Sequence, residues 1–138
     1  MEEFVIEGGH PLHGEVTASG NKNAALPLLA ACLLTEEPVT LRNVPQIRDV
    51  QAMRKLIESL GAVVEELDGT TWRVTTRELV SSHLDPDLCR RIRASILIAG
   101  PVVARAGSLR LPPPGGDVIG RRRLDTHILA LRALGAKV

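Results

Sequence analysis

Residues 60–64 read Leu-Gly-Ala-Val-Val and residues 134–138 read Leu-Gly-Ala-Lys-Val, so the second leucine follows the first by 74 positions. Glycine after an apolar helix is typical of a helix C-terminus, and both pentapeptides therefore predict a helix that ends and a strand that begins. The segments before them also correspond in order. We therefore predict a structural repeat of about this length, although Leu-Gly-Ala is also a common helix-to-strand exit.

The first predicted unit covers about residues 21–80. Pro27 falls early enough for a first helical turn, Asp49 is a candidate helix cap, and Asp68-Gly69 is a hairpin signal. The predicted elements are a buried helix at 24–34, a strand at 39–43, an amphipathic helix capped by Asp49, and strands at 62–67 and 72–76.

The second predicted unit covers about residues 88–138. Its predicted elements are an apolar helix at 94–103, a strand at 108–111 and an amphipathic helix at 124–134. The unit stops at Val138, where the first unit continues into paired strands. The sequence therefore predicts an incomplete second unit, as expected of a fragment.

The composition argues against several classes of protein. Phe4 and Trp72 are the only aromatic residues and the net charge is +1, so neither base stacking nor a broad basic field is available for nucleic acid. The apolar stretch at 24–34 is too short to cross a bilayer, and the N-terminus lacks the pattern of a signal peptide. Cys32 and Cys89 have no metal-site or disulfide spacing, which favours a reducing cytoplasm.

Two stretches are candidate anion sites, because each combines glycine with cationic side chains. Lys22 and Asn23 follow Gly20 just before an apolar helix, and a run of three arginines at 121–123 follows the glycine-rich loop at 115–120. Asp125 is placed to hold one of these guanidinium groups. Solvated surface residues are the alternative for both stretches, and His127 is interpreted as a packing residue.

A third cationic stretch precedes the second apolar helix. Arg93 adjoins the apolar run that begins at Ala94, which favours a guanidinium that points along a cleft. For Arg90 and Arg91, the alternative to an anion contact is a solvated helix start or pairing with Asp85 and Asp87.

Taken together, four motifs resemble those of the UDP-N-acetylglucosamine 1-carboxyvinyltransferases, in the enolpyruvyl transferase family. They are Gly20-Asn-Lys-Asn-Ala-Ala-Leu-Pro27, Arg93-Ala-Ser95, Pro114-Gly-Gly-Asp-Val-Ile-Gly120 and Arg122-Arg-Leu-Asp125. The resemblance implies an α/β fold of repeated helix-strand-helix-strand units, the inside-out α/β barrel, incomplete in this chain. Residues 1–20 would then carry strands of the second lobe, and residues 21–138 would form part of the other lobe.

The resemblance also implies a reaction without metal or organic cofactor. The enolpyruvyl group of phosphoenolpyruvate moves to the 3-hydroxyl of UDP-N-acetylglucosamine, with release of phosphate, in the first committed step of peptidoglycan synthesis. Asp117 would supply the proton, and Lys22, Asn23 and Arg122 would bind phosphoenolpyruvate. The UDP-sugar would be bound by Asn23, Arg93, Arg122, Arg123, Leu124, Asp125 and Thr126. The expected partner is the missing C-terminal part of the same enzyme, without which the chain should be inactive.

Two positions depart from the family pattern. Many members carry cysteine, which fosfomycin alkylates, where this chain has Asp117, so the resemblance implies resistance to that drug. Arg123 stands where proline is common. The alternatives are 5-enolpyruvylshikimate-3-phosphate synthase, whose helix-start motif is usually Ser-Lys-Ser rather than Asn21-Lys-Asn23, and a non-catalytic anion-binding module.

Overall fold

The computed structural model describes residues 3–116, 120 and 123–138. Residues 3–19 are exposed and form no helix or strand, so the strands expected at the N-terminus are not formed in this structure. The described elements are α1 (Lys22–Ala31), β1 (Val39–Leu41), α2 (Arg48–Ser59), β2 (Val63–Glu66), β3 (Trp72–Thr75), α3 (Pro86–Arg91), α4 (Ala99–Ala106) and α5 (Asp125–Ala133), with 3-10 helices at Cys32–Leu34 and Arg93–Ile98.

The three strands form one antiparallel sheet in the order β1-β3-β2, so the last strand lies in the middle. Val74 in β3 is opposite Val39 on one side and Val64 on the other. The predicted hairpin is confirmed. Its turn is held by the Asp68 carboxylate, which accepts hydrogen bonds from the backbone N–H groups of Thr70 (2.8 Å) and Thr71 (2.7 Å). These bonds lower the pKa of Asp68, led by the one from Thr70.

The core is one buried cluster to which α1, α2, the sheet and side chains between positions 84 and 102 contribute. Four α2 side chains are fully buried, as the 3.6-residue period predicts: Val50, Met53, Leu56 and Ile57. Trp72 and Val74 from β3 are also fully buried, and the Arg54 guanidinium lies 5.3 Å from the centre of the Trp72 ring. The first unit shares this packed core with the second half of the chain, which contributes Ile92, Ile98 and Val102.

Two predictions about helix starts are wrong. α2 begins at Arg48 after an extended Ile47, and Asp49 lies in its first turn without capping it. α1 begins at Lys22, two residues earlier than predicted, because the side chain of Asn21 caps it. Pro27 therefore lies inside α1 rather than in its first turn. The helix is buried as predicted, but it ends at Ala31 and continues as a 3-10 helix through Leu34.

The two Leu-Gly-Ala exits have the same backbone geometry. Gly61 and Gly135 have φ angles of +109° and +95°, a region that glycine adopts without a steric penalty. In each exit the glycine N–H and the following alanine N–H donate to carbonyls of the last helical turn. These bonds are Gly61 to Glu58 (3.0 Å), Ala62 to Ile57 (3.1 Å), Gly135 to Arg132 (3.0 Å) and Ala136 to Leu131 (3.0 Å).

The packing around the two exits differs. Leu60 is fully buried, whereas Leu134 is 86% exposed, and α5 has no buried residue. Correspondence between two units at 21–80 and 88–138 therefore stays a prediction, although the glycine and alanine hydrogen bonds of the two helix exits correspond.

The second unit differs from its predicted elements in two places. A 3-10 helix at Arg93–Ile98 followed by α4 replaces the single apolar helix expected at 94–103. Residues 108–111 form no strand, because their one described ladder contact is an isolated parallel bridge between His83 and Arg110. The helix expected at 124–134 is present as α5.

Arg105 on α4 joins the second half of the chain to the first. Its guanidinium, whose side chain is 18% exposed, donates to the carbonyls of Leu33 (2.9 Å), Thr76 (2.8 Å) and Arg77 (3.0 Å). A single side chain thus satisfies backbone groups at the end of the first 3-10 helix and after β3. Among the described helices, none combines the length and apolarity needed to cross a membrane.

Candidate functional site

The start of α1 is fixed by its two preceding residues. A Cβ atom on Gly20 would lie 1.7 Å from the carbonyl oxygen of Asn43, so only glycine fits there. Asn21 then caps the helix, since its Oδ1 accepts hydrogen bonds from the N–H groups of Asn23 (2.7 Å) and Ala24 (3.2 Å). Lys22 and Asn23 are consequently held in the first turn of α1.

The ammonium of Lys22 lies against α2. Its Nζ donates to Oδ2 of Asp49 at 2.8 Å, in an ion pair whose side chains are 48% and 39% exposed. A cation at a helix N-terminus is disfavoured by the helix dipole, whereas a carboxylate in the first turn of α2 is favoured by it. The negative charge of Asp49 therefore offsets the unfavourable interaction between the Lys22 ammonium and the dipole of α1.

The junction between α3 and the following 3-10 helix supplies more cations. α3 ends at Arg91, Ile92 is extended, and the 3-10 helix starts with Arg93. The guanidinium of Arg93 donates from Nη2 to the carbonyl of Arg123 at 3.1 Å. Arg90 pairs with Asp87, as one of the two sequence interpretations expected.

The glycine-rich loop packs on this same junction. Gly115 and Gly116 donate their N–H groups to the carbonyls of Cys89 and Arg90, both at 3.0 Å. A Cβ on Gly115 would lie 1.9 Å from the oxygen of Arg90, so this glycine is required for close approach to the backbone of α3. The backbone of Gly115 and Gly116 is therefore fixed against the end of α3.

These elements enclose a cleft of about 330 Å³ between the starts of α1 and α2 and the α3 junction. Its charged lining consists of Lys22, Arg91 and Arg93, opposed by Asp49 alone among the described residues. Asn23 and Gly116 also line it. Three cations against one carboxylate suit a ligand with more than one negative charge.

The cleft unites three of the residues predicted from sequence, namely Lys22, Asn23 and Arg93. Arg123 reaches it only through its carbonyl, because its exposed side chain pairs with Asp125 as expected. Leu124 precedes α5, Asp125 and Thr126 begin it, and none of the three is among the described lining residues. Asp117 and Arg122 lie outside the described residues, so their predicted roles stay predictions.

Sequence reasoning missed two charged residues of the cleft. The sequence pattern predicts Asp49 as a helix cap, and for Arg91 it offers a solvated helix start or pairing with Asp85 and Asp87. The Lys22–Asp49 pair joins positions 27 apart, so no local pattern could reveal it. The one sequence signal for Asp49 was its place as an acidic residue in the first turn of a helix. A carboxylate there that does not cap the helix is available to pair with a cation.

The two thiols are outside this site. Cys32 is 3% exposed and Cys89 is fully buried, and both are free. Burial raises the pKa of Cys32 to about 11 and also raises the pKa of Cys89. Both are therefore protonated near neutral pH. Within the described ranges, no group of three or more His, Cys, Asp or Glu side chains is arranged to hold a metal ion.

Comparison with known proteins gives a consistent result. The sequence profile of a family described as EPSP synthase (3-phosphoshikimate 1-carboxyvinyltransferase) matches residues 6–138. A UDP-N-acetylglucosamine 1-carboxyvinyltransferase of Bradyrhizobium diazoefficiens is 59% identical over 99% of this chain. The enzyme of the same name from Treponema denticola is 53% identical over 100% of the chain. In both cases the chain spans 32% of the relative, about a third of its length.

A solved structure agrees on the fold. The enolpyruvyl transferase NikO from Streptomyces tendae is similar with a TM-score of 0.63 and 29% identity. The similarity covers 72% of this chain and 23% of that protein. The small sheet with its flanking helices is therefore part of an enolpyruvyl transferase fold, incomplete in this chain.

Proposed function

Because the chain belongs to the EPSP synthase (3-phosphoshikimate 1-carboxyvinyltransferase) family, we propose that it forms part of a UDP-N-acetylglucosamine 1-carboxyvinyltransferase. The proposed enzyme transfers the enolpyruvyl group of phosphoenolpyruvate to the 3-hydroxyl of UDP-N-acetylglucosamine and releases phosphate. This step commits the sugar to peptidoglycan, on which bacterial cell shape and division depend. The proposed location is the cytoplasm, where two unpaired cysteines remain reduced.

The observation that carries the proposal is the convergence of Lys22, Arg91 and Arg93 on one cleft. Phosphoenolpyruvate bears a carboxylate and a phosphate, and several cations on separate elements can contact both groups at once. Asn23 adds a neutral amide that can donate to a hydroxyl or phosphate oxygen. We assign phosphoenolpyruvate to Lys22 and Asn23, with Arg122 as a further ligand.

The proposed chemistry is addition followed by elimination. Asp117 follows Gly116 in sequence, and Gly116 lines the cleft. In its protonated form Asp117 would give a proton to the methylene carbon of phosphoenolpyruvate, and the sugar 3-hydroxyl would attack the adjacent carbon while a base in the remainder of the enzyme takes the hydroxyl proton. Loss of a proton from the new methyl group and of phosphate then regenerates the double bond. A carboxylic acid can perform this protonation when its surroundings keep it neutral.

The UDP-sugar is assigned to Asn23, Arg93 and residues 122–126. The bond from Arg93 to the carbonyl of Arg123 supports this assignment, because it ties the start of α5 to the cleft. The chain spans about a third of its relatives, and we propose that the remainder supplies the other face of the site. A phosphate-release assay should accordingly detect no turnover by the 138-residue chain alone.

The binding proposal is tested by titrating the isotope-labelled chain with UDP-N-acetylglucosamine and with phosphoenolpyruvate. Backbone amide shifts are expected at residues 22–23, 93 and 115–127. Shikimate 3-phosphate is the control, because it distinguishes the rival synthase of the same family. A response to that compound with none to the UDP-sugar would favour the rival, and silence toward all three ligands would contradict the proposal.

A second test uses fosfomycin, which alkylates a cysteine in many family members. We expect no covalent adduct on this chain, because Asp117 replaces that cysteine and the thiols of Cys32 and Cys89 are buried. Intact-mass spectrometry after incubation with the drug and UDP-N-acetylglucosamine provides the measurement. A drug adduct on the chain without substitutions would contradict the expectation.

A further inference from the structure

Asp49 stands in surroundings that are otherwise cationic. It lines the cleft with Lys22, Arg91 and Arg93, and it also lines a neighbouring groove of about 580 Å³ that includes Arg48 and Lys55. Among the described residues that line either space, Asp49 is the only carboxylate. In a site that attracts anions, this charge repels the ligand. Its presence therefore calls for a role other than ligand attraction.

The contact that Asp49 makes points to this role. Its Oδ2 accepts a hydrogen bond from Nζ of Lys22 at 2.8 Å, between the first turns of α1 and α2. Both side chains are about half exposed, and ion pairs of this kind contribute little to stability. The main effect of the contact is consequently on the direction of the ammonium rather than on the stability of the fold.

Without Asp49, the ammonium of Lys22 would be subject to two repulsions. The positive end of the α1 dipole lies beside it, and Arg91 and Arg93 line the same cleft. Both would favour conformers of the long side chain that point into solvent. An ammonium has three donors, so the bond to Asp49 leaves two for a ligand.

We propose that Asp49 is a positioning residue that holds the ammonium of Lys22 toward the anion in the cleft. This inference rests on the proposed function, since it assigns Lys22 to the same ligand. By net charge alone, removal of Asp49 would strengthen anion binding, and a positioning role predicts the reverse. Removing the carboxylate should weaken anion binding, although it removes a negative charge from the site.

The test compares Asp49→Asn with the unmodified 138-residue chain, using phosphoenolpyruvate as the probe and calorimetry for the dissociation constant. Affinity is expected to fall about tenfold, the effect of losing one well-directed charge-assisted hydrogen bond. Asp49→Glu, which keeps the carboxylate, should restore part of it. The matched control is Asp87→Asn, which removes a first-turn carboxylate from α3 that pairs with Arg90 outside the cleft.

Side-chain NMR of Lys22 separates this inference from the proposed function. The two Hε protons should be resolved in the unmodified chain, and they should merge in Asp49→Asn when the side chain is released. Unchanged Lys22 signals, or equal or tighter phosphoenolpyruvate binding in Asp49→Asn, would overturn the positioning role. A chain that binds no phosphoenolpyruvate would contradict the proposed function, and the Lys22 signals would then decide the role of Asp49.

Discussion

At the scale of single residues, Arg105 makes contacts that are costly to lose. Its guanidinium donates to the carbonyls of Leu33, Thr76 and Arg77 and lies 3.6 Å from Glu36. Since the side chain is mostly buried, water cannot replace all these donors. Arg105→Met should lower the free energy of unfolding by about 2 kcal/mol or more, measured by urea denaturation followed by circular dichroism.

The control for Arg105 is Arg73→Met. Arg73 is exposed and lies 3.6 Å from Glu65 in a surface ion pair, so its removal should change stability by less than about 1 kcal/mol. Equal losses in the two variants would contradict the role assigned to Arg105.

The buried thiols give a prediction that depends on pH. The pKa of Cys32 is raised from 9.0 to about 11 by burial, so the folded chain holds its proton more tightly than the unfolded chain. The stability that this adds is present at low pH, and it is lost as the pH rises above 9.0 toward 11.

Because both thiols are buried, iodoacetamide should label neither Cys32 nor Cys89 in the folded chain near neutral pH, as mass spectrometry can measure. Both should react in concentrated guanidinium chloride, and rapid labelling of the folded chain would contradict the burial.

Residue-level sequence reasoning found Lys22, Asn23 and Arg93, because each stands beside a recognisable helix start. It missed Asp49 and the role of Arg105. The contacts of Arg105 reach residues 28 to 72 positions away, and such pairings depend on tertiary structure that no local pattern encodes. Local sequence patterns therefore indicated part of the cationic lining of the cleft but not the arrangement that presents the cations.

At the scale of elements, two glycines should respond in opposite ways to alanine. At Gly20 the new Cβ would collide with the Asn43 backbone, so Gly20→Ala should destabilise the fold by about 2 kcal/mol or more and disturb the start of α1. At Gly100, in α4, a Cβ meets nothing within 4 Å. Gly100→Ala should stabilise the chain by about 0.5–1 kcal/mol through helix propensity. Thermal unfolding of both variants tests this, and a stable Gly20→Ala would contradict the close approach.

Elements with strong local signals were predictable, and those that depend on partners were not. The periodicity of α2 and the Asp68-Gly69 turn predicted a helix and a hairpin correctly. Residues 108–111 have the composition of a strand, but a strand exists only where another strand pairs with it. Here the described pairing is a single bridge at Arg110.

At the scale of the whole molecule, α2 and α5 end in corresponding glycine and alanine hydrogen bonds but differ in packing. Because α5 has no buried residue and Leu129 is 60% exposed, its amides should exchange with solvent through local opening. Amides of α2 should exchange only on global unfolding. Hydrogen-exchange mass spectrometry should thus find α5 exchanged long before α2, and equal protection of the two helices would contradict this view.

The burial of Trp72 has an experimental consequence. It is the only tryptophan, and the chain has no tyrosine. Intrinsic ultraviolet fluorescence therefore comes almost entirely from one indole, which is fully buried in β3 beside Arg54. An emission change would report on the first half of the molecule, while the region around α5 would be optically silent. Comparing fluorescence with a helix-sensitive signal would thus reveal whether the two halves come apart together, without any added label.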